Sequence, residues 1–186
     1  NVTNMEEIFY SAVSFNQPLN FNTSNVTNMK EIFYNVESFN QQLDNWNVNS
    51  VTNIKGMFSF TYSFNQPLNF NTEKVTNMSE MFWHAHLFNK SLNFNTKNVT
   101  DMSRMFDQAR SFNQPLDFNT EKVTDMDSMF NNTKSFNQYL NWDTSKVNDM
   151  FRMFCHASSF NQLLNFDMSN VTNINRMFTG TCIESE

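Results

Sequence analysis

A VTxM block recurs, with small changes, from one end of the chain to the other. Its valines are Val2, Val26, Val51, Val75, Val99, Val123, Val147 and Val171. The intervals are 24, 25, 24, 24, 24, 24 and 24 residues. A fixed period in this range marks a repeat architecture in which each unit stacks on the next. The 186 residues therefore read as one elongated solenoid domain, 1–186, with seven whole units and the start of an eighth at Val171. One unit alone does not stand: its eight or so apolar side chains gain roughly 2 kcal/mol each on burial, or about 16 kcal/mol. Ordering its backbone costs on the order of 24–36 kcal/mol. Stacking buries both flanks and makes the array stable where the unit is not.

Within the unit that starts at Val75, the apolar residues Met78, Met81, Phe82 and Ala85 are spaced i, i+3, i+4, i+7. That spacing predicts one face of a helix of two to three turns. Asn77 is placed as its N-cap and Glu80 completes a capping box, as do Asn4 with Glu7 and Asn28 with Glu31. In later units the cap becomes Asp101, Asp125 and Asp149. Downstream, Leu92-Asn93-Phe94-Asn95-Thr96 alternates with period two, which predicts a short strand with one buried face. Strands that recur once per turn in one direction pair in parallel, at about 4.8 Å, while helices pack about 8–10 Å apart. That mismatch predicts a bend, with helices outside. The second unit has one extra residue, Leu43-Asp44-Asn45-Trp46, which is the size of a β-bulge.

Three columns hold their residue. Phe recurs at Phe9, Phe33, Phe58, Phe82, Phe106, Phe130, Phe154 and Phe178, and Leu at Leu19, Leu43, Leu68, Leu92, Leu116, Leu140 and Leu164. Both read as core. The third is the Asn of a repeated Phe-Asn pair: Asn16, Asn40, Asn65, Asn89, Asn113, Asn137 and Asn161. A buried amide is costly unless bonded, and an Asn can bond backbone of its own turn and the next. A structural ladder is expected there.

The string FNQPLNFNTSNVTNM at residues 15–29, and the Met-Phe pair that follows this block in most units, resemble the BspA-like leucine-rich-repeat surface proteins. The closer likeness is to their lipoprotein-type repeat of 24–25 residues and unknown function. The resemblance runs from Asn1 to Phe178. The chain departs from it in placing Phe21, Phe70, Phe94, Phe118 and Phe166 where that family often has Trp, which Trp46 and Trp142 keep. The resemblance implies an α/β fold: a right-handed leucine-rich-repeat-like solenoid with one short helix and one short parallel strand per repeat. It also implies a non-catalytic module displayed on a cell surface, or on a virion, that binds proteins or glycans.

Composition narrows the function further. Net charge is -6 with no run of Lys or Arg, which argues against nucleic acid and an anionic membrane surface. No apolar run approaches the roughly 20 residues of a spanning helix, so no direct membrane insertion within this chain is expected. The chain opens inside a repeat, at Asn1-Val2-Thr3, and reads as a trimmed fragment whose export signal or anchor lies outside it. Two glycines, Gly56 and Gly180, are too few for a phosphate loop. On a helix His84 and His86 face apart and form no zinc pair. The acids Asp101, Asp117, Glu121, Asp125, Asp127 and Asp149 suggest calcium only if six to eight oxygens converge. Most of the eight sequons follow from the repeat itself, so their number says little about glycosylation. No catalytic residue, metal or cofactor is assigned. Cys155 and Cys182 fall in neighbouring units; a disulfide and two free thiols both stay open.

The informative departures are on the helix side. Tyr10, Tyr34, Phe60, Tyr62 and Trp83 form an aromatic row where later units carry Asp107, Arg110, Asn131, Lys134 and His156. Such a row is what a partner surface looks like, and rings packed between neighbouring helices is the other reading. The strand side shows a sheet of amides and acids, from Asn20 and Asn22 to Asn165 and Asp167, able to bind a glycan or polypeptide edge or simply to solvate the sheet. The function expected is a binding or adhesion module. The alternative is a structural spacer, or a surface-layer or virion component, associating end to end with like chains.

Overall fold

The computed structural model describes residues 2–183. Each unit closes one coil, and the coils lie one over the next in register. Numbered in chain order, coils 1–8 begin at the eight valines, and positions are counted from that Val. Asn4, Asn28, Asn53, Asn77, Asp101, Asp125, Asp149 and Asn173, all at position three, form parallel bridges, each to the next.

Among the described residues there is no helix. This overturns the expectation of a leucine-rich-repeat-like α/β solenoid with a helix and a strand in every unit. Coil 4 shows what replaces the helix. The N–H groups of Met78, Glu80, Phe82 and His84 donate to the carbonyls of Asp101, Ser103, Met105 and Asp107 in coil 5, at 2.8–3.1 Å. The N–H groups between them, of Met81, Trp83 and Ala85, donate back to Met78, Glu80 and Phe82. The segment is a chain of overlapping β-turns in which every second peptide points along the stack. Glu80 (φ 59°) and His84 (φ 58°) are left-handed. They are the third residues of the turns Met78–Met81 and Phe82–Ala85, where a type II turn needs φ > 0.

The same two positions, six and ten, are left-handed in all eight coils, from Glu7 and Ser11 to Arg176 and Gly180. An L-residue there costs roughly 1–2 kcal/mol. Hydrogen bonds to the next coil and burial of the side chains between offset that cost. A helix loses because it spends its N–H groups on itself and needs about 8–10 Å to its neighbour. The rings of Phe82 and Phe106 in successive coils are only 5.6 Å apart. The capping box is absent as well. Asn77 Oδ1 accepts the Ser79 N–H at 2.9 Å, an Asx turn. Glu80 pairs instead with Lys55 Nζ, at 3.3 Å.

The strand side is also not a regular sheet; among the described residues its one bridge joins Leu68 to Leu92. Side chains carry the coil-to-coil bonds there. Thr23, Thr72, Thr96, Thr120 and Thr144 are buried and donate Oγ1 to the carbonyls of Asn47, Asn95, Asn119, Asp143 and Asp167. Asn40, Asn65, Asn89, Asn113, Asn137 and Asn161 each donate a backbone N–H to the side-chain oxygen of the Asn one coil earlier, at 2.9–3.0 Å. The extra residue of coil 2 makes no bulge. Trp46 N–H donates to Leu43 C=O at 3.0 Å, so a tight turn absorbs it and the Trp46 ring stays in the core.

The core is one continuous cluster from Met5 to Met177. Two phenylalanine columns run through it. Phe82 stacks on Phe88 within its coil at 4.0 Å, and Phe88 on Phe112 of the next at 5.9 Å. From Phe33 to Phe154 the first column is fully buried, whereas Phe178 at the end is 39% exposed.

Candidate partner surface

Left-handed turns at positions six and ten push the side chains of positions nine, ten and twelve onto one flank of the stack. On coils 1–4 that flank is aromatic. Tyr10 stacks on Tyr34, 4.8 Å between ring centres and 2° between planes. Tyr34 leans on Phe60 at 5.3 Å, and Phe60 meets the edge of Trp83 at 4.7 Å and of Tyr62 at 6.4 Å. All five rings thus lie in one stripe. Tyr10 is 47% exposed, and the other four are half-buried.

Two further members are His84 and His86. The helical expectation set them on opposite faces; the turn backbone puts them on the same one, with rings 5.6 Å apart. His84 stacks on Phe60 at 4.4 Å and His86 on Tyr62 at 4.8 Å. Burial, then the charges of His86 and Arg110, pushes His84 down to about 4. Burial, then Arg110, also lowers His86. Both rings are neutral near pH 7 and belong chemically with the aromatics. In a turn chain, positions ten and twelve share a face; that period-two signal was available in the sequence but was hidden by the helical reading.

Past Trp83 the stripe ends. Asp107 at position nine of coil 5 is 6% exposed and accepts Asn131 Nδ2 at 2.9 Å. Burial pushes its carboxyl up to about 7, against the Asn131 bond and the charges of Arg104 and Arg152. Arg110, Lys134 and His156 are exposed. Cys155 is buried and Cys182 exposed, and both are free thiols.

The opposite flank carries the amides. From Asn20 and Asn22 to Asn165 and Asp167 these side chains are exposed. The second of each pair bonds its own turn, as Asn71 Oδ1 does with Glu73 N–H at 3.2 Å and Asp143 Oδ1 with Ser145 N–H at 2.9 Å. Among the described residues no group of three or more His, Cys, Asp or Glu side chains is placed to hold a metal ion.

The family described as "Mycoplasma protein of unknown function, DUF285" matches residues 1–92, 68–141 and 116–183, three overlapping stretches that together span nearly the whole chain. The chain belongs to the DUF285 family. In this DUF285 chain the overlaps follow from the repeat, since a match started at one coil reads equally well from another. No curated protein and no solved structure matches it.

Proposed function

We propose that this DUF285 chain is a non-catalytic interaction module that binds a partner protein through the stripe Tyr10, Tyr34, Phe60, Tyr62 and Trp83, with His84 and His86. The observation that carries this reading is the continuity of the stripe across four coils followed by its abrupt loss. Core packing does not require rings at positions nine, ten and twelve, because coils 5–7 fill them with Asp107, Gln108, Arg110, Asn131, Lys134 and His156 and bury the same inner columns. Rings supply large contact area at low entropy cost and dominate the energetics of protein interfaces. The resemblance to BspA-like surface repeats supports display at a cell surface, with the partner on a host or neighbouring cell.

The test pairs substitutions on the two flanks, using the intact chain and cell-surface protein fractions as probe. Tyr34→Ala with Trp83→Ala is expected to abolish binding while circular dichroism stays unchanged. Asn71→Ala with Asn95→Ala is expected to leave binding intact. The reverse pattern places the partner on the amide flank and overturns the proposal.

A further inference from the structure

The flank that carries the aromatic stripe changes chemistry toward the other end of the stack. At position six, coils 1, 2 and 4 carry Glu7, Glu31 and Glu80, whereas coils 5, 7 and 8 carry Arg104, Arg152 and Arg176. At position nine, Tyr10, Tyr34 and Trp83 give way to Asn131, Cys155 and Thr179. Long cations beside small neighbours leave a hollow. In coils 6–8 it is a cavity of about 210 Å³ lined by Arg152, Arg176, Asn131, Asn132, His156 and Thr179, together with the buried Cys155.

Two observations say what this hollow lacks. The ion pairs among the described residues involve Lys30, Lys55, Lys97 and Arg104, and neither Arg152 nor Arg176. The two guanidiniums leave the backbone one coil apart, roughly 4.8 Å, so like charges share one hollow with no acid between them. In addition, Arg152 Nε is shielded from water with no hydrogen-bond partner and its guanidinium lies over the Phe151 ring, 4.9 Å from the ring centre, so its terminal nitrogens are what it can turn to the hollow. A buried donor left unpaired is costly, more so on a charged group. Asp107, the acid of column nine, does not supply the missing acceptor. It lies two coils before Cys155 and takes the Asn131 amide.

We propose that this cavity binds a tetrahedral oxyanion, phosphate or sulfate, free or as a monoester. A guanidinium fork matches such oxygens in geometry and charge. The Thr179 hydroxyl adds an uncharged donor from coil 8, while the amides of Asn131 and Asn132 are engaged with Asp107 and with Asn131 Oδ1. The cavity, about 210 Å³, has room for the anion and a small organic substituent. Gly180 sets where the His156 side chain of the lining lies. A Cβ there would stand 2.5 Å from His156 Nδ1, so only glycine lets that imidazole lie over coil 8.

The experiment is calorimetric titration of the whole chain with inorganic phosphate, inorganic sulfate and phenyl phosphate in a constant chloride background. Saturable one-to-one binding is expected. Arg176→Gln, at an exposed position, and Arg152→Gln are each expected to weaken it about tenfold or more, the scale of one charge-assisted bond. Arg104→Gln is expected to leave it unchanged, since that guanidinium pairs with Asp127 at 3.3 Å outside the cavity. If Arg152→Gln fails to fold, Arg176→Gln alone decides. Tighter binding of phenyl phosphate assigns the oxyanion to a larger ligand, and equal binding to a free ion; either supports the site. Absence of saturable binding, or an equal loss on Arg104→Gln, overturns it. The Tyr34 and Trp83 substitutions lie on other coils and do not enter this result.

Discussion

Asn65 Oδ1 accepts the backbone N–H of Asn89 from one coil further along, at 3.0 Å. Asn89 in turn accepts from Asn113 N–H and from Gln114 Nε2, both at 3.0 Å. One amide oxygen thus satisfies two donors of the next coil. Asn89→Ala is expected to cost about 1–3 kcal/mol, the penalty for leaving donors unpaired. Asn93→Ala, on the exposed flank, is expected to change stability by less than about 0.5 kcal/mol. Urea unfolding followed by circular dichroism measures both. Equal effects from the two would show that the ladder is not what holds these coils together.

Gln108→Gly separates the turn chain from a helix by sign. Gln108 sits at position ten with φ 57°. Glycine relieves left-handed strain of roughly 1–2 kcal/mol and gives back somewhat less in unfolded-state entropy. A stabilisation of about 0.5–1 kcal/mol is expected. In a helix the same change would destabilise by about 1 kcal/mol. A lowered melting temperature would refute the turn geometry.

Asp125 lies in the bridge column between Asp101 and Asp149. Those two have amide neighbours: Asn77 Nδ2 donates to Asp101 at 3.3 Å and Asn173 Nδ2 to Asp149 at 3.2 Å. Asp125 has carboxylates on both sides. Burial raises its carboxyl above the usual range, against the Asp127 N–H bond, and the charges of Asp101, Asp127 and Asp149 raise it further. Asp125→Asn supplies a donor to a neighbouring carboxylate and is expected to stabilise by about 0.5–1.5 kcal/mol at neutral pH. The gain shrinks as the pH falls and the wild-type carboxyl takes up its proton. A pH-independent gain would mean that charge is not its source.

Asp107 makes a second pH prediction, in a different window. Its folded value of about 7 stands above the ordinary 3.8. Below the lower value both states hold the proton and ionisation costs nothing. As pH rises toward 7 the unfolded chain ionises first, so folding is progressively penalised, and above about 7 the penalty is constant. Asp107→Asn is therefore expected to be near neutral at low pH and stabilising by about 1–3 kcal/mol at high pH. The difference between the two proteins' unfolding curves isolates this residue from the other carboxylates.

The inward residues of a unit were legible in its sequence, whereas the backbone that turns them inward was not. Val75, Met78, Met81, Phe82 and Ala85 are all fully buried. Yet i, i+3, i+4, i+7 spacing belongs equally to a helix and to a chain of β-turns that closes every two to three residues. The left-handed positions would have decided between them. They carry Glu, Arg, Ser, Gln and His far more often than Gly, with only Gly56 and Gly180 as glycines. Stacking energy overrides local preference there, and local preference is what a single sequence displays. The aromatic stripe was readable for a simpler reason: Tyr10, Tyr34 and Trp83 break a column whose other members are small or polar. His84 and His86 were lost to the helical reading. Asp107 gave no sign of burial, because its covering comes from neighbouring coils.

Coils this alike create an ambiguity of pairing. Every coil presents the same donors and acceptors in the same order, so the backbone of coil 2 would bond coil 4 as readily as coil 3, with 24 residues looped out. Side chains that differ between coils act as keys against that frame-shift. A Cβ on Gly56 would stand 2.9 Å from Glu31 Cγ, so coil 3 has a notch shaped for coil 2. Coil 4 offers Glu80 at that place, and its side chain would have to share the space that Glu31 Cγ fills over Gly56. The gap beneath His156 at Gly180 keys coil 8 to coil 7 in the same way. The two glycines of this chain thus serve as registration marks, and a chain in which every unit followed one consensus would lack them.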